Sequence, residues 1–68
     1  MNLNLRHAIV ENLNGSDEEH IRATILDAIE SGEEKMLPGL GVLFELMWDK
    51  SSNEEKELVI SHIKAGLQ

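Results

Sequence analysis

The sequence predicts an all-α protein, a compact bundle of three to four short helices that forms a single domain over residues 1–68. Two observations support this fold class. Apolar residues recur at the three- and four-residue spacing of a helix face in successive segments. A Ser-x-x-Glu sequence, the pattern of an N-terminal capping box, precedes two of these segments. A chain of this length has room for one domain at most.

The first predicted helix runs from about Leu3 to Leu13, and either Asn2 or Asn4 can cap its start. Gly15, which follows Asn14, supplies the left-handed conformation that ends helices at little cost. The residues that share the apolar face of this helix are Leu5, Ala8, Ile9 and Leu13.

The second helix is predicted to start at a capping box over residues 16–19, in which the Ser16 hydroxyl accepts from the Glu19 amide. Glu18 and Arg22 are spaced to form an ion pair across one helical turn. Gly32 is predicted to end the helix. Its apolar stripe consists of Ile21, Thr24, Ile25, Ala28 and Ile29.

The middle segment, residues 33–50, differs from its neighbours because its apolar residues surround the helix axis from Leu40 to Trp48. Pro38 suits the first turn of a new helix. A helix that is apolar on nearly every side is buried, by its own chain or by a partner. The run Leu40–Phe44 could also be a short buried strand, but no second strand is available to pair with it. The sequence therefore favours a helix.

The last helix is predicted to start at a second capping box, Ser52 to Glu55, and to end at Gly66. Lys64 suits its C-terminal turn, where a cation complements the helix dipole. One face carries Val59, Ile60, Ile63 and Leu67, whereas Leu58 lies off that face.

The charge balance argues against several classes of partner. Thirteen acidic residues against six basic ones give a net charge of −7, which repels phosphate backbones and anionic lipid. We therefore expect no strong nucleic-acid binding and no membrane association. No targeting signal or membrane span is visible, which predicts a soluble cytoplasmic protein. The absence of cysteine excludes disulfides and cysteine-type zinc sites.

No group of residues predicts catalysis, a metal site or a cofactor. His7, His20 and His62 fall on three different predicted helices, and the carboxylates cluster at exposed helix starts. The glycines at 39 and 41 lack the Gly-Lys-Ser/Thr sequence of a phosphate loop. No small-molecule substrate is evident, so we expect a non-enzymatic protein. Glu45 interrupts the apolar middle helix and could contact a cation of a partner.

The apolar middle helix is the feature from which an interaction surface is predicted. Either the other helices hide it completely, or part of it remains bare and pairs with the same helix of a second copy. Aromatic and methionine side chains are enriched at such contacts. The residues of this candidate interaction surface, for a possible homodimer, are Leu40, Leu43, Phe44, Met47 and Trp48.

Two stretches resemble a known family. The opening Asn-Leu-Asn-Leu-Arg-His-Ala (2–8) and the segment Ser-Gly-Glu-Glu-Lys-Met-Leu-Pro-Gly-Leu-Gly-Val-Leu-Phe-Glu (31–45) are similar to the I-type small acid-soluble spore protein of endospore-forming bacilli. The resemblance implies a minor protein made in the forespore and held in the spore core. It implies no enzymatic residues. Two alternatives are a DNA-associated spore protein and an amino-acid reservoir that is degraded at germination.

Overall fold

The computed structural model describes residues 3–68, which contain four α-helices and one short 3-10 turn. The described residues contain no strand, and the run Leu40–Phe44 lies within a helix, so the predicted all-α fold class is confirmed. The chain fits within 30 × 27 × 26 Å. The elements in chain order are α1 (Leu3–Leu13), α2 (Glu18–Ser31), the 3-10 turn (Glu34–Met36), α3 (Leu37–Lys50) and α4 (Asn53–Gly66).

The glycines that were predicted to end the first two helices do so. Gly15 follows α1 with φ of 83°, and Gly32 follows α2 with φ of 64°. A residue with a Cβ is strained in this left-handed region, so glycine is the favoured residue at both positions. Asn4 is the second residue of α1 and does not precede that helix. Asn2, the other candidate cap, lies outside the described residues.

The capping box predicted for α2 is wrong, whereas the box predicted for α4 is confirmed. Asp17 is the N-cap of α2, and its carboxylate accepts from the His20 N–H at 2.9 Å. Ser16 belongs instead to the turn that closes α1, since its N–H donates to the Leu13 carbonyl at 3.0 Å. At α4, the Glu55 N–H donates to the Ser52 hydroxyl, and the Ser52 N–H donates to the Glu55 carboxylate.

Ser52 caps α4 and Asp17 caps α2, whereas Ser16 caps neither helix, so replacing these residues by alanine should affect stability differently. Ser52→Ala is expected to lower the free energy of unfolding by about 1 kcal/mol, because the first turn of α4 loses its acceptor. Asp17→Ala is expected to cost a similar amount at α2. Ser16→Ala is the matched control and should change stability by about 0.5 kcal/mol or less. Urea denaturation of the three variants measures this, and equal losses for Ser16→Ala and Asp17→Ala would contradict the observed cap.

The packed part of the fold lies between α1 and α3. Val42 of α3 is 1% exposed and is the one fully buried residue among those described. Gly39 of α3 lies beside Ile9 of α1, and a Cβ placed there would be 4.0 Å from Ile9 Cδ1, an ordinary van der Waals contact. Pro38 lies in the first turn of α3, as the sequence predicted. The α1–α3 contact is thus the best-packed part of a compact helical arrangement.

The apolar faces of α2 and α4 are covered less than their patterns predict. Ile21 and Ile25 of α2 are half-buried, but Ile29 is 59% exposed. No residue of α4 is fully buried. The ion pair predicted for Arg22 is also different, since its guanidinium contacts Glu19, three residues away, and not Glu18. Much of the apolar surface that the sequence assigns to a core therefore remains open to solvent.

Candidate functional site

The candidate interaction surface on α3 does not form one patch. Its first two residues, Leu40 and Leu43, are half-buried and line a cavity of about 420 Å³ between α1, α2 and α3. The cavity wall opposite them includes Ile9 of α1 and Ala28 of α2. These two leucines therefore face the interior of the helix arrangement, where they are only partly covered.

A second opening, here called the α1–α3 groove, has a volume of about 590 Å³ and receives Leu43, Leu46 and Met47 from α3. Leu46 is 44% exposed and Met47 is 40% exposed. The remaining side of this groove comes from the C-terminal end of α1 and the first half of α2. The lining residues contributed by those two helices include Val10, Leu13, Ile21 and Ile25.

The two aromatic residues form a separate cluster. The rings of Phe44 and Trp48 stack with centroids 5.8 Å apart and planes inclined by 20°. The Lys56 Nζ lies 5.3 Å from the Trp48 ring centroid, which is within the range of a cation–π contact. Because Lys56 belongs to the first half of α4, this contact ties the start of α4 to the end of α3. The exposed side of Phe44 and Trp48 borders a shallow concavity with Glu45 and Asp49.

Glu45 is paired within its own chain. The Arg6 guanidinium donates from Nε and Nη2 to its two carboxylate oxygens, each at 2.9 Å, which joins α1 to α3. These hydrogen bonds are the main cause that lowers the pKa of Glu45 below its usual value, and the positive charge of Arg6 adds to them. A bidentate pair of this geometry adds specificity to the contact between the two helices. The sequence suggested a cation of a partner for Glu45, whereas the structure pairs this carboxylate with Arg6 of the same chain.

The fold is expected to lose stability as the pH falls, and Glu45 contributes to that loss. Its pKa is lower in the folded chain than in the unfolded one, so its contribution is complete above the unfolded value, near 4.5, and disappears as pH falls through the lower folded pKa. Glu55 contributes in the same direction, because the hydrogen bond from the Ser52 backbone N–H lowers the pKa of its carboxyl group. Thermal melting between pH 6 and pH 3 measures the loss.

Glu45→Gln is expected to make the melting temperature depend less on pH, because the variant carries no titrating group at that position. Glu57→Gln is the matched control: it removes the same charge from an exposed site on α4 that has no ion-pair partner among the described residues. Identical pH profiles for Glu45→Gln and the wild type would show that the Arg6–Glu45 pair contributes nothing in solution.

The structure provides no site of another kind in the part of the chain that it describes. All three histidines are exposed. His7 Nε2 lies 3.7 Å from Glu11 Oε1, one turn further along α1. Among residues 3–68, no three His, Asp or Glu side chains are grouped so that they could hold a metal ion. None of the helices described is long and apolar enough to cross a membrane.

Two functional features were missed by reasoning from the sequence. Leu46 was not included in the candidate surface, although its spacing from Leu43 and Met47 is that of one helix face. The Arg6–Glu45 pair joins residues 39 positions apart, and no local pattern links them. The first omission could have been avoided from periodicity, whereas the second required the packing of α1 on α3.

Comparison with known proteins identifies close relatives over the whole chain. The sequence profile of the family described as "Small, acid-soluble spore protein I" matches residues 3–67. A protein of that name from Halalkalibacterium halodurans is 56% identical over 68 residues, which cover 100% of both chains. The Bacillus subtilis protein of the same name is 53% identical over 68 residues, covering 100% of this chain and 96% of the relative. No solved structure matches this chain.

Proposed function

Because the chain belongs to the small, acid-soluble spore protein I family, we propose that it is a non-enzymatic minor protein of the spore core that is made in the forespore and acts through protein contacts. The family is not a known enzyme family. Such a role needs an exposed apolar surface and no reacting groups. The side chains that the structure places at the surface meet the first requirement.

The observation that carries this proposal is the amount of apolar surface left uncovered. Among the residues whose side chains the structure describes, Val42 is fully buried, while twelve large apolar side chains remain between 37% and 82% exposed. The total accessible surface is 5683 Å², whereas a compact monomer of this mass exposes about 4,300 Å². Exposed apolar surface of this extent marks protein contacts when it is contiguous. Four of these side chains are contiguous around the cavity and the groove between α1, α2 and α3: Leu5, Val10, Leu46 and Met47.

The partner that we propose is a second copy of the chain. Self-association is the stabilising device open to a domain of this size without disulfides, and twofold pairing is its commonest form. The candidate surface on α3 contributes Met47 and Leu43 to the open groove. A homodimer that covers this groove would remove from water the apolar side chains that one chain leaves exposed.

Crosslinking inside dormant spores tests the proposal. A photo-crosslinking amino acid at Met47 is expected to yield a covalent adduct of twice the chain mass, because this side chain lines the groove. The same amino acid at Glu57, an exposed and polar position on α4, is the matched control and should yield no adduct. Identification of the adduct by mass spectrometry gives the partner directly.

Two results would replace the proposal by an alternative function. Adducts to DNA, together with submicromolar binding to duplex DNA at 150 mM salt, would indicate a DNA-associated protein. A net charge of −7 predicts binding no tighter than weak non-specific levels, about 10⁻⁴ M. Recovery of the free chain alone, followed by its rapid loss at germination, would indicate an amino-acid reservoir.

A further inference from the structure

The apolar face of α4 has no fully buried residue. Ile60, Ile63 and Leu67 are 51%, 44% and 82% exposed. With half-buried Val59 they occupy one side of α4 and of its C-cap residue, Leu67, at positions i, i+1, i+4 and i+8. This stripe extends about 12 Å along the helix axis. An amphipathic helix of this kind is stabilised mainly by packing of its apolar side, which this chain does not provide.

The α1–α3 groove presents the complementary surface. Its side chains from three helices are almost all aliphatic, and no residue of α4 lines it. Leu43 and Met47 form the α3 side, and Ile21 and Ile25 form the α2 side. An open apolar groove between helices is a known receptor for the apolar face of an amphipathic helix. The same chain thus carries an uncovered helix stripe and an uncovered groove.

We propose that α4 of one chain docks its stripe into the α1–α3 groove of a second copy, and that the second copy returns its own α4 in the same way. This inference rests on the self-association proposed above and specifies its geometry. The reciprocal contact is twofold and closed, so it ends at a dimer. It covers groove and stripe together, whereas pairing of α3 with α3 would leave the stripe of α4 in water.

The available area matches what such a dimer needs. The accessible surface of 5683 Å² exceeds that of a compact monomer of this mass by about 1,400 Å². A standard stable interface buries about 800 Å² per partner. The surplus is a property of the whole surface, and the exposed side chains of the stripe and the groove contribute to it. The connection between α3 and α4 also suits this reciprocal docking of α4, since Ser51 and Ser52 are both extended, with ψ of 143° and 169°.

Charge predicts how this contact responds to salt. Each copy carries a net charge of −7, so two copies repel one another and added salt screens that repulsion. The groove and the stripe carry few charged side chains, so the attraction itself is apolar and persists in salt. The dimer is therefore expected to strengthen when sodium chloride is raised from low to high concentration.

Single-cysteine variants test the geometry without interference, because the natural chain has no cysteine. A chain carrying Met47→Cys is mixed with a chain carrying Ile63→Cys and treated with a short bis-maleimide crosslinker. The expected main product is the mixed dimer, identified by its intact mass. Leu58→Cys replaces Ile63→Cys in the control mixture: Leu58 is 59% exposed but lies off the stripe, so little mixed dimer is expected.

A second measurement uses sedimentation of full-length variants with helicity checked by circular dichroism. Ile63→Asp is expected to weaken the dimer by about 30-fold or more, as loss of a central apolar contact does. Leu58→Asp should leave it unchanged. Both side chains are exposed in one chain, so neither change removes a buried contact of the monomer.

Four results would overturn the proposed reciprocal docking of α4. Dimers linked only through Met47→Cys on both chains would show that α3 pairs with α3. In a chain carrying both Met47→Cys and Ile63→Cys, an internal crosslink in a monomer would show that α4 folds onto its own groove. Equal losses for Ile63→Asp and Leu58→Asp would remove the stripe from the contact. A monomer at all concentrations would exclude self-association, while adducts to another protein in spores would still support the proposed function.

Discussion

Val42→Asp is expected to unfold the protein. Val42 is 1% exposed, and it is the one fully buried residue among those described. A carboxyl group at this position leaves water for a buried site at a cost of about 4 kcal/mol, and the lost packing of the valine methyl groups adds about 2 kcal/mol. A chain of 68 residues has a total stability of about 3–10 kcal/mol. The far-ultraviolet circular dichroism signal of helix should therefore be largely lost near 37 °C.

Two further variants show whether burial causes this effect. Leu37→Asp introduces the same charge on the same helix at a side chain that is 62% exposed, and it should change stability by about 0.5 kcal/mol or less. Val42→Ala should lie between the two, with a loss of about 2 kcal/mol from the missing methyl groups and the space they leave. Equal melting temperatures for Val42→Asp and Leu37→Asp would show that α1 and α3 do not pack as described.

The helix boundaries could be predicted because the signals that set them are local. Gly15 and Gly32 take left-handed φ values, and the Ser52 box donates and accepts within four residues. The start of α2 was predicted one residue early because Ser16 and Asp17 are both good caps. The choice between them depends on the turn after α1, where the Ser16 N–H donates to the Leu13 carbonyl. A single sequence does not specify that turn.

The packing of the helices could not be predicted in the same way. Periodicity identifies the apolar side of each helix but not the side that another helix covers. Val59 and Ile63 occupy the same pattern as buried core residues, yet Ile63 is 44% exposed. On α3, periodicity gave no reason to separate Phe44 from Leu43. The structure places Leu43 in the groove and stacks Phe44 on Trp48 outside it. Long-range contacts decide these differences.

Trp48→Ala is expected to weaken the proposed homodimer by about 1–2 kcal/mol, or about 5- to 30-fold in Kd, through the ordering of α4. Trp48 stacks on Phe44 and receives the Lys56 ammonium over its ring, so its loss releases the start of α4 from α3. The free helix must then be ordered again when the dimer forms, which costs conformational entropy. Trp48→Phe is the control that keeps an aromatic ring for both contacts, and it should retain most of the affinity. Sedimentation at a series of concentrations measures both variants.

The emission of Trp48 gives a second reading on the unmodified chain. Trp48 is half-buried within one chain. Dilution should therefore shift its emission to the red only if dissociation of the dimer exposes the indole to more water. The emission shift and the change in sedimentation are expected to have the same midpoint concentration. The Trp48→Phe variant gives no emission shift, because it has no indole. If Trp48 emission is constant while the wild type sediments as a monomer throughout, the contacts of Trp48 stabilise a single chain. The apolar face of α4 would then not dock into a second copy of the chain.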